Sequence, residues 1–237
     1  MKTIALLTGR GNNTLKDKNI LDVLGKPVLY YPANAGVKSN EIDDYYCSSD
    51  DRNILVAAEK LGYKAIVRPD ELALPTSQHI DCIMHALSVM RRENNLPEIL
   101  VVILANNVTI KSEWITDCVQ MMKQDSSLTA VVPVYEDNDH HPLRAKTVNS
   151  DGTISMYEKN VHGTISTNRQ DLPKCFFLSH NFWVLRTEFL LSGKEGQQPW
   201  GFMGDKIMPY KIEESIDIHK EIDLYIAKEW LKENYTD

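Results

Sequence analysis

Six consecutive aliphatic residues, Ile99–Leu104 (ILVVIL), constrain the fold of this 237-residue chain more than any other stretch. A strand with one wet face alternates apolar and polar residues, whereas a strand buried on both faces has no need to. The run is therefore expected to be the central strand of a parallel sheet with helices on both sides.

The flanking segments fit that frame. Residues 4–7 (IALL) form a short β-type run that opens into Thr8-Gly9-Arg10-Gly11-Asn12-Asn13. Gly25-Lys26-Pro27 predicts a turn into a helix running toward Ala35, with Gly36 as its C-terminal stop. Residues 41–47 (EIDDYYC) read as a strand entering the polar loop Ser48-Ser49-Asp50-Asp51, after which Ile54, Leu55, Ala58 and Leu61 recur at helical spacing. Gly62 ends that helix, residues 63–67 form a strand delivering Arg68-Pro69-Asp70-Glu71-Leu72 to a loop, and Ile80, Ile83, Met84, Leu87 and Met90 mark a long helix. Ser112 is expected to cap a helix with Ile115, Cys118, Val119 and Met122 inward, and residues 128–134 form a further strand.

Strands alternating with helices up to about residue 134 predict an α/β, Rossmann-like, mostly parallel sheet whose ligands bind at the C-terminal strand ends. The rhythm breaks over residues 135–178, where the turn Asn149-Ser150-Asp151-Gly152 and short alternating stretches predict an antiparallel excursion, a lid or a dimerisation arm. The sheet resumes over residues 175–185. A last amphipathic helix is expected to turn Ile222, Tyr225, Ile226 and Trp230 inward. The chain is thus expected to be one domain, 1–237, carrying the excursion 135–178.

Composition narrows the class of partner. With 43% hydrophobic and 25% charged residues the chain is globular, and a net charge of -7 argues against non-specific nucleic-acid binding. Cys47, Cys82, Cys118 and Cys175 are scattered, without metal-type spacing. No stretch approaches the ~18 apolar residues of a membrane span. These features predict a cytoplasmic protein with reduced thiols, no membrane contact and a small-molecule ligand.

The opening loop carries the strongest chemical signal. Glycine lets backbone N–H groups approach a ligand, and Arg10, Lys16 and Lys18 select an anion, with a polyphosphate the first expectation. Gly9 and Gly11 match neither GxxxxGK[ST] nor GxGxxG, so spacing alone fits a solvated basic loop equally well. Arg10 at the end of a first strand can grip a phosphate bidentately. Ser48 to Asp51 fit a helix cap as well as a ligand loop, and Arg68 fits a ligand contact as well as a pair with Asp70 or Glu71. His140-His141 reads as surface. Asp217, near Glu213 and Glu214, has the oxygen chemistry of a hard-cation ligand.

Taken in order, these pieces resemble the CMP-sialic acid synthetase family, cytidylyltransferases that couple CTP to acidic sugars, and above all its branch for bacterial nonulosonic acids such as legionaminic acid. The resemblance spans nearly the whole chain. It is carried by Arg10-Gly11, Lys18-Asn19-Ile20, Gly25-Lys26-Pro27, Ser49-Asp50, Arg68-Pro69 with Glu71-Leu72, Ser77, the helix 81–87, His140-His141-Pro142 with Ala145-Lys146, Asn181, Ile216-Asp217 and Asp223-Leu224.

It implies a nucleotide-diphospho-sugar transferase fold, a homodimer and a Mg2+-dependent attack of a sugar hydroxyl on the α-phosphate of CTP. Arg10, Lys16 and Lys18 would be catalytic. Thr8, Gly9, Arg10, Gly11, Asn19, Arg68 and Ser77 would bind the nucleotide, Asn106, His141 and Asn181 an acidic nine-carbon sugar, and Asp217 the metal. Catalysis by fixed cations suits phosphoryl transfer.

The chain departs from its relatives in three places. The loop usually of the form ARGGSKGIPRKN is one residue shorter, with Thr14 near the missing lysine and Lys16 as its substitute. LQPTSP is replaced by Leu104-Ala105-Asn106-Asn107-Val108-Thr109, and Asp-x-Asp by Asp217-Ile218-His219. A sugar-1-phosphate nucleotidyltransferase and a silent nucleotide-binding homologue therefore stand as alternatives.

Overall fold

The computed structural model describes residues 1–11, 14–161 and 163–235, so Asn12 and Asn13 of the opening loop lie outside the described residues. Strand β1 (Thr3–Thr8) leads through a two-residue ribbon, β2 (Asp22–Val23) and β3 (Lys26–Pro27), to helix α1 (Tyr30–Lys38). The alternation continues with β4 (Asp44–Ser49), α2 (Arg52–Glu59), β5 (Lys64–Val67), α3 (His79–Arg92), β6 (Ile99–Leu104), α4 (Ser112–Gln124) and β7 (Ala130–Glu136). A hairpin of β8 (Lys146–Val148) and β9 (Ile154–Met156) follows, then β10 (Phe176–Leu178), β11 (Phe182–Arg186), α5 (Thr187–Leu191), β12 (Ile207–Lys211) and α6 (Glu221–Asn234).

The main sheet runs β5-β4-β1-β6-β11-β7, with β12 on the other edge of β7. β6 is central, in parallel register with β1 from Thr3↔Ile99 to Thr8↔Leu104. Its neighbour on the other side, β11, is antiparallel, so the sheet is mixed.

Two-sided burial explains the aliphatic runs. Ala5, Leu7, Val101 and Ile103 pack into one apolar layer with α1, α2 and α4, while Ile4, Leu6, Leu100 and Val102 pack into the other with α3. All eight are fully buried, and such side chains contribute about 1.5–3 kcal/mol each. A third, smaller cluster joins Val23, Val28 and Tyr31 to Val108, Ile218, Trp230 and Leu231, and fastens the C-terminal segment over the opening loop.

Four local expectations are corrected. Gly36 lies inside α1 rather than ending it, and a Cβ there would stand 2.6 Å from the Tyr63 Oη and 2.9 Å from Ile103 Cδ1. Its role is close approach of the helix to β5 and β6. β4 extends through Ser48 and Ser49, which are buried strand residues, and the loop begins at Asp50. Ser112 is the first helical residue of α4, with Lys111 at the N-cap and no side-chain cap bond.

The fourth correction concerns α6. Its inward residues are Ala227, Trp230 and Leu231, whereas Ile222, Tyr225 and Ile226 are 59%, 64% and 45% exposed. The helix lies on the small third cluster rather than on the sheet, so a narrower stripe is covered than its periodicity suggests.

The excursion after β7 contains the β8–β9 hairpin, closed by Asn149 N–H to Thr153 at 2.8 Å. β10 and β11 occupy the same edge of β7 and are separated by Ser179, His180 and Asn181. Before this break the chain pairs with the C-terminal half of β7, and after it the chain wedges between β7 and β6. Ser179 N–H binds Pro133 O at 2.8 Å and Asn181 O accepts from Leu104 N–H at 3.0 Å. Because β11 runs antiparallel, its beginning lies at the edge where β6 ends. Among the described residues no helix is long and apolar enough to cross a membrane.

Gly36→Ala is expected to destabilise the protein by about 1–3 kcal/mol through overpacking, although alanine normally favours a helix interior. In a Tyr63→Phe background the loss should shrink, because the clashing hydroxyl is gone. Tyr63→Phe itself costs about 1 kcal/mol through its 2.9 Å bond to Ala33 O. Denaturant unfolding of the four proteins checks this; an equal Gly36→Ala loss in both backgrounds would refute the contact.

Candidate active site

The C-terminal ends of β1 and β6, the segment from Arg68 after β5 to the first turn of α3, His180 ahead of β11, and Asp217 and His219 enclose a cleft of about 480 Å³. Its centre is the opening loop. Thr8, Gly9, Arg10, Lys18 and Asn19 wall it there, Arg68 and Ser77 stand on one flank, and Asn106, His180 and Asp217 on the other. The two flanks follow from the strand order, since β5 and β4 lie to one side of β1 and β6 and β11 to the other.

The glycines face protein rather than ligand. A Cβ on Gly9 would meet Ala105 Cβ at 3.2 Å and Ile54 Cγ2 at 3.3 Å, and one on Gly11 would meet Asp51 Cβ at 2.8 Å. Gly11 N–H donates to Asp50 Oδ1 at 3.1 Å, while Asp51 caps α2 through Asn53 N–H at 2.7 Å. The polar loop after β4 thus combines a helix cap with an anchor for the opening loop. Ala105 is fully buried against Gly9.

Lys18 sets the electrostatics. It is 8% exposed, and its Nζ donates to Ile218 O at 3.0 Å. Burial lowers its pKa, the facing Asp217 carboxylate opposes that shift, and the Arg10 guanidinium adds to it. Lys18 is buried and Arg10 half-buried, and an anion between the two cations would offset their mutual repulsion. Arg10 Nη1 is tied to Leu74 O at 2.9 Å.

Beside Lys18, Asn19 donates its Nδ2 to Arg10 O at 3.0 Å, and its buried Oδ1 has no partner among the described residues.

Arg68 is buried, with Nε donating to Ser48 Oγ at 3.2 Å and Nη2 to Ser48 O at 2.7 Å. It pairs with neither Asp70 nor Glu71 in these bonds. The rest of its guanidinium faces the cleft near His79, whose Nε2 lies 3.2 Å from Thr8 Oγ1. Burial, then the charge of Arg68, holds the His79 pKa down to about 4.

On the opposite flank Asp217 accepts from Asn106 Nδ2, and its Oδ2 lies 3.1 Å from His219 Nε2. Burial raises the Asp217 pKa against the pull of His219, Lys18 and His180. Among the described residues no three His, Cys, Asp or Glu side chains gather as a metal cage. The donor set fits a hard cation held by one carboxylate and by phosphate oxygens of a substrate, and does not fit an all-protein magnesium site.

Four expected site residues stand elsewhere. Lys16 is exposed and off the cleft wall, and Gly11 sits behind it against Asp50 and Asp51. His141 is buried in the excursion, where its Nδ1 accepts from Leu143 N–H at 3.1 Å. Asn181 is fully buried, with its amide committed to Thr109 O at 2.9 Å and Phe182 N–H at 2.8 Å.

His79 and His180 take cleft positions that the sequence had not suggested. The signal for His180 was the polar triplet Ser179-His180-Asn181 between two apolar runs, which breaks what had read as one strand.

A sequence model described as "Cytidylyltransferase" matches residues 7–190, a span that runs from the end of β1 through β6 and contains most of the residues lining the cleft. The chain belongs to the cytidylyltransferase family. Among its relatives, a pseudaminic acid cytidylyltransferase of Campylobacter jejuni is 24% identical over 178 residues, 74% of this chain and 75% of that protein. The N-acylneuraminate cytidylyltransferase A of Danio rerio is 24% identical over 230 residues, 95% of this chain and 50% of that protein.

A solved CMP:2-keto-3-deoxy-manno-octonic acid synthetase, complexed with CTP, superimposes with a TM-score of 0.70. It covers 98% of this chain and 99% of the other at 14% identity, a likeness of fold. This cytidylyltransferase therefore has the nucleotide-diphospho-sugar transferase architecture and is a nucleotidyltransferase by family.

Its cleft histidines have a consequence for stability. Burial holds both His79 and His180 neutral in the folded state below their ordinary 6.5, while in the unfolded chain they take up protons as pH falls. Folding free energy should therefore decline from pH 6.5 toward about 4. His79→Asn is expected to flatten part of that decline in denaturant melts across the range; an unaltered slope would exclude His79 as its source.

Proposed function

We propose that this cytidylyltransferase transfers CMP from CTP to the anomeric hydroxyl of a nine-carbon acidic sugar of the legionaminic or sialic type, releasing pyrophosphate. The observation that carries the reading is the meeting of buried Lys18 with Arg10 in the wall of the cleft. A triphosphate would place negative charge between these two cations. The relatives' names support the acidic-sugar acceptor.

The chemistry follows from this placement. The sugar hydroxyl oxygen forms a bond to the α-phosphorus, giving up its proton to solvent, as the bond to the pyrophosphate oxygen breaks, and negative charge builds on the leaving group and the equatorial oxygens. Arg10 and Lys18 are already in place to neutralise it, so little reorganisation is needed during reaction. Arg68 and Ser77 serve the nucleoside side, with Thr8 and Gly9 forming the floor between.

Asp217 would hold Mg2+, which when bound neutralises phosphate charge. The exposed apolar residues of the hairpin, Val148 at 73%, Ile154 at 66% and Tyr157 at 67%, support a homodimer through the excursion. Unpaired cysteines support a cytoplasmic setting.

Pyrophosphate release should require CTP, Mg2+ and a nine-carbon acidic sugar together. CTP binding without turnover over sialic, legionaminic, pseudaminic and Kdo-type acids would instead indicate a silent nucleotide-binding homologue. Lys18→Met should lower kcat/KM for CTP about 10²-fold, whereas Lys16→Ala should stay within about twofold, as befits an exposed side chain. Equal losses would place Lys16 at the phosphates. Asp217→Asn should move the magnesium titration to higher concentration, and an unmoved titration would remove Asp217 from the metal.

A further inference from the structure

Asp217 forms an antiparallel β-bridge with Asn107, and the next residue, Ile218, is fully buried in the third apolar cluster. At such a bridge neighbouring side chains point to opposite faces. Burial of Ile218 therefore turns Asp217 and His219 together toward the cleft, where both line the wall. The pair is also fixed from outside. Asn106 Nδ2 donates to Asp217 Oδ1, and His219 N–H donates to Asp223 Oδ2 at 2.8 Å in the first turn of α6. Asp217 Oδ1 is thereby occupied, and Oδ2 faces His219 Nε2 at 3.1 Å.

That separation has a chemical meaning. Two adjacent donors on an octahedral ion with bonds of roughly 2.1 Å stand roughly 3.0 Å apart, so the carboxylate oxygen and the imidazole nitrogen are already spaced as neighbouring ligands of one ion. In the neutral ring the proton then sits on Nδ1, which leaves the Nε2 lone pair for the ion. The His219 side chain is 62% exposed and that of Asp217 26%, so an ion can reach both from the cleft that takes the triphosphate in the reaction proposed above.

A nitrogen donor changes which ion fits. Mg2+ favours oxygen ligands and gives up water reluctantly. Imidazole is a good ligand for first-row transition ions, and Mn2+ at the hard end of that series also takes carboxylate and phosphate oxygen. We infer that His219 is a metal ligand beside Asp217, and that the cleft consequently takes Mn2+ in preference to Mg2+. The inference rests on the metal assignment of Asp217 above and adds to it a second ligand and an ion class. Asn106 is the positioning residue, since its amide holds the carboxylate with Oδ2 toward the imidazole.

The test is pulsed electron paramagnetic resonance of Mn2+ on the full chain, with protein in excess over the ion, CTP present and no acceptor. Wild type should show the modulation of a directly bound nitrogen, and His219→Ala and His219→Asp should lose it. As an exposed residue His219 tolerates both replacements. In titrations of pyrophosphate release, half-saturation by Mn2+ should lie at least about tenfold below that by Mg2+. His219→Ala should raise the Mn2+ value about tenfold and leave the Mg2+ value within about twofold, whereas His219→Asp should narrow the gap by lowering the Mg2+ value.

No bound nitrogen in wild type, a nitrogen that persists in His219→Ala, or a Mn2+-to-Mg2+ ratio unmoved by His219→Asp would overturn the inference. Asp217 would still stand as a metal ligand if Asp217→Asn alone shifted the titrations. Titrations moved by neither Asp217→Asn nor His219→Ala would overturn the metal assignment and this inference together. The resonance measurement needs no acceptor, so wild type that turns over none of the acids yet shows the His219-dependent nitrogen would support the inference and overturn only the acceptor assignment.

Discussion

The parallel register between β1 and β6 is the constraint on which the rest of this molecule depends. Both strands are buried on both faces, so every backbone N–H and C=O must be paired within the sheet, and every side chain must pack into one of two helical layers. A one-residue slip would exchange the two layers, moving Leu7 and Ile103 into the space of Leu6 and Val102. That penalty pins the ends of β1 and β6 at one level, and with them the opening loop and residues 104–107 that follow β6. The cleft is where those ends open.

Within the cleft, charge and packing are set by different elements. Lys18 and Arg10 come from the opening loop, and the residues opposing them, Asp217 and Ile218, come from a segment some two hundred residues later that is fastened by Trp230 and Leu231. The Lys18 bond to Ile218 O closes this loop-to-segment junction. The small third cluster therefore has a chemical role. It sets the depth of a carboxylate beside two cations, and α6 leaves its other apolar residues exposed because only one face is needed for that anchorage.

Much of the fold was legible in sequence for simple reasons. Uninterrupted aliphatic runs marked doubly buried strands, 3.6-residue periodicity marked the covering helices, and the glycines and polar clusters between them marked the loops at one sheet edge. What misled were residues whose roles depend on remote neighbours. Gly36 has the composition of a helix stop, yet is needed because Tyr63 and Ile103 leave no room for a Cβ. Asn181 has the chemistry of a sugar ligand, yet its amide is spent on Thr109 and Phe182. Ile222, Tyr225 and Ile226 have the spacing of a buried face, yet the surface beneath α6 is too narrow to cover them.

By itself the sequence determined the alternating architecture, the edge where the cleft opens and the cationic character of the opening loop, since all three follow from local periodicity and residue chemistry. Only the tertiary structure decided which cations meet. Lys18 is drawn under residues 217–219 while Lys16, two positions earlier, faces solvent. Only the tertiary structure, likewise, brought His79 and His180 to the cleft, because the antiparallel insertion of β11 carries its first residues, rather than its last, to the edge where β6 ends. Pairing direction between distant strands leaves no local trace in a chain, and it is that direction which completes the site.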